Sequence, residues 1–139
     1  EGPRLRVILV DSNVLLDILL DAPEWASWSQ SQLDLWARRG SLLVNPMVYA
    51  ELAAGFDSVR ALDDTLDEAG LEFEEIPRDA LFLAAKAHVL YRRRGGRRKG
   101  VLADFFVGAH AAVRRLPLLT RDGRRYMSYF PTVTLVGPK

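Results

Sequence analysis

The chain has 139 residues, 49% of them hydrophobic and 27% charged, with a net charge of +1. That length fits one domain with a real core, and so small a net charge names no partner by itself. With no cysteine in the chain, disulfide frameworks and thiolate metal sites are excluded, which suits a reducing, cytoplasmic setting. No apolar run reaches the length of a membrane span and nothing at the start resembles a signal peptide, so no membrane partner is expected. The opening Glu1-Gly2-Pro3 reads as a processing or cloning remnant.

The apolar run 7–10 is a strand buried on both faces, and it stops abruptly at Asp11-Ser12-Asn13. Residues 14–20 continue as a helix, with Ser12 and Asn13 suited to capping it. Asp11 is thereby set at the C-terminal end of a strand, where open α/β sheets bind ligands. Pro23 starts a helix over 24–39, with Trp25, Trp28, Leu33, Leu35 and Trp36 on one broad face and Gly40 as its C-cap. The tryptophan stripe fits core packing or an interface. A short strand at 42–44 closes at Asn45-Pro46, and a helix over 47–55 carries Glu51 near its apolar side. A polar helix over 57–69 ends at Gly70, and 71–76 alternates as a half-exposed strand near an edge.

Pro77 opens a helix reaching residue 94, followed by a flexible basic loop between Gly95 and Gly100. A mostly apolar helix over 101–115 contains Asp104, and Gly108 there lets another backbone come close. Residues 117–120 form a strand, Asp122-Gly123 a turn from strand to helix, and 132–136 a last strand. Strands alternate with helices throughout, without repeats or a linker. This pattern describes a single α/β domain over 1–139, a parallel sheet between helices.

Asp11, Glu51, Asp104 and Asp122 are the acids that such a topology can bring to one sheet edge. Asp104 is the most informative, because burying an unpaired carboxylate costs several kcal/mol unless it pairs, protonates or binds metal. Carboxylates without Cys or convincing His ligands describe a hard, oxygen-liganded Mg²⁺ or Mn²⁺ site. His88 and His110 stand alone, without zinc spacing, and read as core or surface residues. Asp17 and Asp21 in the first helix read either as groups that support the site acids or, more simply, as solvated. Asn13 stands two residues after Asp11, where a haloacid-dehalogenase-like phosphatase needs a second aspartate.

Val10-Asp11-Ser12-Asn13, Tyr49-Ala50-Glu51-Leu52, the run from Ala103 to Ala111 and Leu119-Thr120-Arg121-Asp122 together resemble the PIN-domain nucleases. The nearest likeness is to the toxins of VapBC toxin–antitoxin systems, over essentially the whole chain. The resemblance implies a three-layer α/β/α sandwich with a central parallel sheet. It further implies a metal-dependent endoribonuclease that forms a homodimer and is inhibited by a small antitoxin. By motif position, Asp11, Glu51, Asp104 and Asp122 then take the metal-binding and catalytic roles, supported by Asn13 and Thr120. The basic block of Arg92, Arg93, Arg94, Arg97, Arg98 and Lys99 lies outside the motif. It is either a solvated helix end or, through Arg97, Arg98 and Lys99, a handle for the RNA substrate. The rivals are a different enzyme of similar fold, a phosphatase or a DNA-directed nuclease, and a non-catalytic PIN-like module that docks RNA or protein.

Overall fold

The computed structural model describes residues 6–138; the reading of Glu1-Gly2-Pro3 lies outside the described residues. Strand β1 (Arg6–Val10) leads into α1 (Ser12–Leu19) and α2 (Ala26–Arg39), then β2 (Gly40–Val44), α3 (Pro46–Ala53) and α4 (Val59–Glu68). β3 (Leu71–Phe73), α5 (Arg78–Arg93), α6 (Val101–Arg114), β4 (Leu118–Leu119), α7 (Arg124–Met127) and β5 (Leu135–Val136) complete the chain. The five strands form one sheet in the order β3-β2-β1-β4-β5, every pair parallel. Helices flank the sheet, as the α/β/α reading expects.

The core is the run of apolar residues that strands deliver to both faces. Ile8, Leu9 and Val10 are buried beside Leu42, Leu43 and Val44 on one side and Leu118 and Leu119 on the other. β1 is central because its last three residues carry no polar side chain, and a strand covered on both faces needs none. β3 sits at an edge, shorter than its alternating pattern suggests, with Phe73 exposed.

The connections place a topological switch point. β1 leads to β2 and then β3 on one side, whereas the chain leaving β3 through α5 and α6 returns to the far side of β1. Helices covering opposite faces must part there, so a crevice opens between the C-terminal ends of β1 and β4. Asp11 follows β1 and Thr120 follows β4. The order of the strands alone therefore brings these two residues together, although 109 positions separate them.

Two local readings are corrected and a third is refined. The cap of α1 is Asp11, whose side chain accepts from the Ser12 N–H, while Ser12 and Asn13 are turned to other partners. Gly40 is the C-cap of α2, its N–H donating to the Trp36 carbonyl, but it ends the helix without a left-handed turn. Its backbone is extended, and a Cβ there would overlap the Arg6 carbonyl of β1, so glycine is required by strand approach. Gly108 makes room for the ring of Phe130 rather than for another backbone. Gly70 does use its freedom, with φ of 75° just beyond α4.

The tryptophan stripe is half core. Trp28 and Trp36 are partly buried against the core, and Trp25 meets Trp28 edge-on at 5.8 Å between ring centroids. Guanidinium groups cover two of the rings, Arg39 over Trp36 at 5.1 Å and Arg121 over Trp25 at 5.4 Å.

Candidate active site at the switch point

Asp11 is 2% exposed and accepts three hydrogen bonds. Its Oδ1 takes the Ser12 N–H at 2.8 Å. Its Oδ2 takes the Thr120 hydroxyl at 2.9 Å and the Tyr126 hydroxyl at 2.6 Å. Thr120 is fully used in turn, since its Oγ1 donates to Asp11 and accepts from Asn13 Nδ2 at 3.2 Å and the Asp122 N–H at 3.1 Å. Asn13 Oδ1 also accepts the Arg121 N–H at 3.2 Å. The turn after β4 is thus stitched to the start of α1, which fixes where Asp122 begins.

Glu51 rides on α3, exposed as a residue, with its carboxylate reaching inward to accept the Ser12 hydroxyl at 2.7 Å. Asp104 stands in the first turn of α6, partly buried. Burial raises its pKa to about 6, with the charges of Asp11 and Glu51 adding to the effect and Arg125 and Arg98 opposing it. Asp104 thus lies close enough to Asp11 and Glu51 to feel their charge. Asp122 is tied to Asp104 through Arg125, whose Nε donates to Asp122 Oδ2 at 3.0 Å and whose Nη1 donates to Asp104 Oδ1 at 3.4 Å.

Hard carboxylate oxygens suit Mg²⁺ or Mn²⁺. Among the described residues, however, no three His, Cys, Asp or Glu side chains are disposed as they stand to hold one ion. The donor chemistry fits a divalent cation. The side chains have to close further to ligate it, and Arg125 stands on two of them.

Of the basic block, only Arg98 reaches this place. It lines a cleft with Tyr91, Asp104, Arg124 and Arg125, and a second with Thr120 and Asp122. Its backbone N–H is held by the Tyr91 hydroxyl at 2.9 Å. Arg97 and Lys99 line a separate cleft with His88, Arg92 and Leu102 that does not include the acids.

The reading of Asp17 as solvated is overturned. Its side chain is 4% exposed and takes a bidentate bond from Arg121, at 2.7 and 2.8 Å, plus the Ser29 hydroxyl at 2.9 Å. His110 is also more than a lone core residue. It is fully buried, with Nδ1 against Asn45 Nδ2 at 3.2 Å and Nε2 against Glu74 Oε2 at 2.7 Å. Arg114 forks onto the same Glu74 and, with His110, lowers its pKa to about 2.

Tyr126, Arg125 and Arg121, the partner of Asp17, are the site residues that motif reasoning missed. Tyr126 is buried, and burial together with the Asp11 charge holds its hydroxyl well above the usual pKa, so it remains a donor to Asp11. Tyr126→Phe should lower unfolding free energy by about 1.5–3 kcal/mol, the range for a hydrogen bond to a charged group. Urea unfolding checks this; an unchanged midpoint would remove Tyr126 from the account of how Asp11 is held.

A model of the PIN domain family matches residues 8–128. The chain belongs to the PIN domain family. PIN domains are generally nucleases and typically use divalent metal ions. Comparison with curated protein sequences returned no match. Among solved structures the PIN chain is similar to one in VapBC2 from Rickettsia felis bound to a DNA fragment from their promoter. That match has a TM-score of 0.70 at 17% identity, covering 94% of this chain and 98% of the other. VapBC-1 from nontypeable Haemophilus influenzae matches with a TM-score of 0.71 at 13% identity, covering 94% and 97%. FitAcB from Neisseria gonorrhoeae gives 0.66 at 19%, covering 94% and 97%. At these identities the likeness concerns the fold, which is the PIN fold seen in toxin–antitoxin complexes.

Proposed function

We propose that this PIN domain is an Mg²⁺- or Mn²⁺-dependent endoribonuclease acting as the toxin of a type II toxin–antitoxin pair. The observation that carries the proposal is the meeting of Asp11, Glu51 and Asp104 at the switch point, where burial, with the charges of Asp11 and Glu51 adding to it, raises Asp104 to about 6. Asp122 completes the set from the turn after β4, held by Thr120 and Arg125.

Asp11, Glu51, Asp104 and Asp122 would hold the ion. When bound, it supplies charge stabilisation at a phosphate and lowers the pKa of a coordinated water. Thr120, Tyr126 and the Ser12 N–H keep Asp11 in one orientation, and Ser12 steers Glu51 towards it. Asn13 ties the β4 turn to α1. Arg98 and Arg124 line the clefts beside the acids, where an RNA phosphate chain needs cations. Arg97 and Lys99, set in another cleft, contribute less to that path than Arg98.

Similarity to chains of VapBC and FitAcB complexes supports a small antitoxin as partner; a homodimer working in the cytoplasm belongs to the same proposal. Exposed apolar side chains suit such contacts, among them Leu19 and Leu20 at the end of α1 and Phe82 and Val89 on α5. Among the described residues no helix is long and apolar enough to cross a membrane.

Induced expression in a bacterial host, followed by sequencing of newly formed RNA 5′ ends, tests the proposal. The wild-type chain should arrest growth and yield discrete cut sites, and Asp104→Asn should yield neither. Growth arrest without new RNA ends, or equal ends from both chains, would overturn it.

A further inference from the structure

Arg125 is placed unlike the other cations of the site. It stands on the four-residue helix α7 and spans Asp122, three residues earlier, and Asp104 on α6. Its side chain is 36% exposed and borders both clefts that open onto the acids. Arg121 is fully engaged by Asp17, and Arg124 makes no ion pair among the described residues. Arg125 therefore occupies two of the four carboxylates that a divalent ion would need, and it is exposed enough to leave them.

We propose that Arg125 is a resident counter-ion, displaced when a divalent cation takes Asp104 and Asp122, and thereby released to bind a substrate phosphate. This rests on the metal-nuclease reading of the same site. A guanidinium satisfies two carboxylates while no metal is bound, which keeps the acids from repelling one another. Its release couples the two ligands. The metal frees a bidentate phosphate donor at the mouth of the cleft, where before it was held by protein carboxylates. The proposal assigns opposite signs to the two events: Arg125 weakens metal binding and strengthens RNA binding.

Mn²⁺ titration by calorimetry at pH 8, with the full chain as wild type, Arg125→Met, Arg125→Lys and Arg124→Met, reads the first sign. That pH lies above the pKa of about 6 of Asp104, so proton competition is small. Arg125→Met should bind Mn²⁺ roughly fivefold more tightly, the upper end for a partly exposed ion pair. Arg124→Met, which removes the same charge without an ion pair, should stay within about twofold of wild type. Arg125→Lys keeps the charge without the fork and should fall between. In RNA cleavage at saturating Mn²⁺, Arg125→Met should raise KM severalfold although it holds metal more tightly.

Equal Mn²⁺ affinity in wild type and Arg125→Met would overturn the counter-ion role while leaving the metal site standing. Equal tightening by Arg124→Met would do the same, since it would reduce the effect to net charge. An Arg125→Met enzyme with tighter metal and an unchanged or lower KM would overturn the release to phosphate. If none of the four proteins bound Mn²⁺, the metal-nuclease reading itself would fall, and the counter-ion role with it.

Discussion

Asp104→Asn should make the metal-free protein more stable at neutral pH while abolishing cleavage. Asp104 lies partly buried, with Asp11 and Glu51 adding negative charge and its pKa raised from 3.8 to about 6. A carboxyl whose folded pKa lies above its unfolded value stabilises the fold when protonated. The contribution is complete below about pH 4 and is lost as pH rises through about 6. At pH 7.5 the ionised group is therefore a burden, of order 1–3 kcal/mol from a shift of about two pH units. Asparagine removes the charge and keeps the shape. The melting temperature of the variant should exceed that of wild type at pH 7.5 in chelator, and the gain should vanish near pH 4. Adding Mn²⁺ should stabilise wild type and not the variant, while cleavage falls at least about a hundredfold. A variant less stable than wild type at pH 7.5 would mean that Asp104 is a structural cap and not a group held at a cost for function.

Arg121→Leu should cause the largest loss of stability of any single substitution near the site. Asp17 is buried and its charge is met by the fork of Arg121, with Ser29 as a third donor. Removing Arg121 leaves that carboxylate in the interior with one hydroxyl, and breaking a buried pair in this way costs about 3–5 kcal/mol. The partial exposure of Arg121 places the expectation at the low end, a fall in melting temperature of roughly 10 °C for a domain this size. Arg121→Leu combined with Asp17→Leu should recover a good part of it, because no orphaned charge remains. The pair also ties α1 to the turn that carries Asp122, so the single variant should lose activity along with stability. A single variant as stable as wild type would show that the pair contributes little, and a double variant no more stable than the single would show that no orphaned charge is at stake.

The acids were readable where each broke a local pattern. Asp11 interrupts an apolar strand, Asp104 sits in an apolar helix, and Asp122 follows a short strand, so each asked for an explanation from its own neighbours. Their supports did not. Asp17 and Arg121 are 104 positions apart, Tyr126 and Asp11 115. A partnered buried charge and a solvated one look alike until the partner is known. The same apolar surroundings that singled out Asp104 were present at Asp17, between Leu16 and Ile18 in a short apolar helix. Nothing local marks Arg125, since its bond to Asp104 crosses from α7 to α6. The parallel sheet, by contrast, followed from alternation alone. The bounds of β4 and β5 did not, because two-residue strands are defined by their neighbours rather than by their own composition.

The central claim is that the carboxylates at the β1–β4 switch point form a divalent-metal nuclease site. It is tested most directly by single-turnover cleavage of a defined RNA with the purified chain, in Mn²⁺, in Mg²⁺ and in excess chelator. Cleavage at discrete positions with either ion, none in chelator, and recovery on adding metal back is the predicted result. Cleavage that persists undiminished in chelator, or none under any condition from a folded chain that binds RNA, would contradict it.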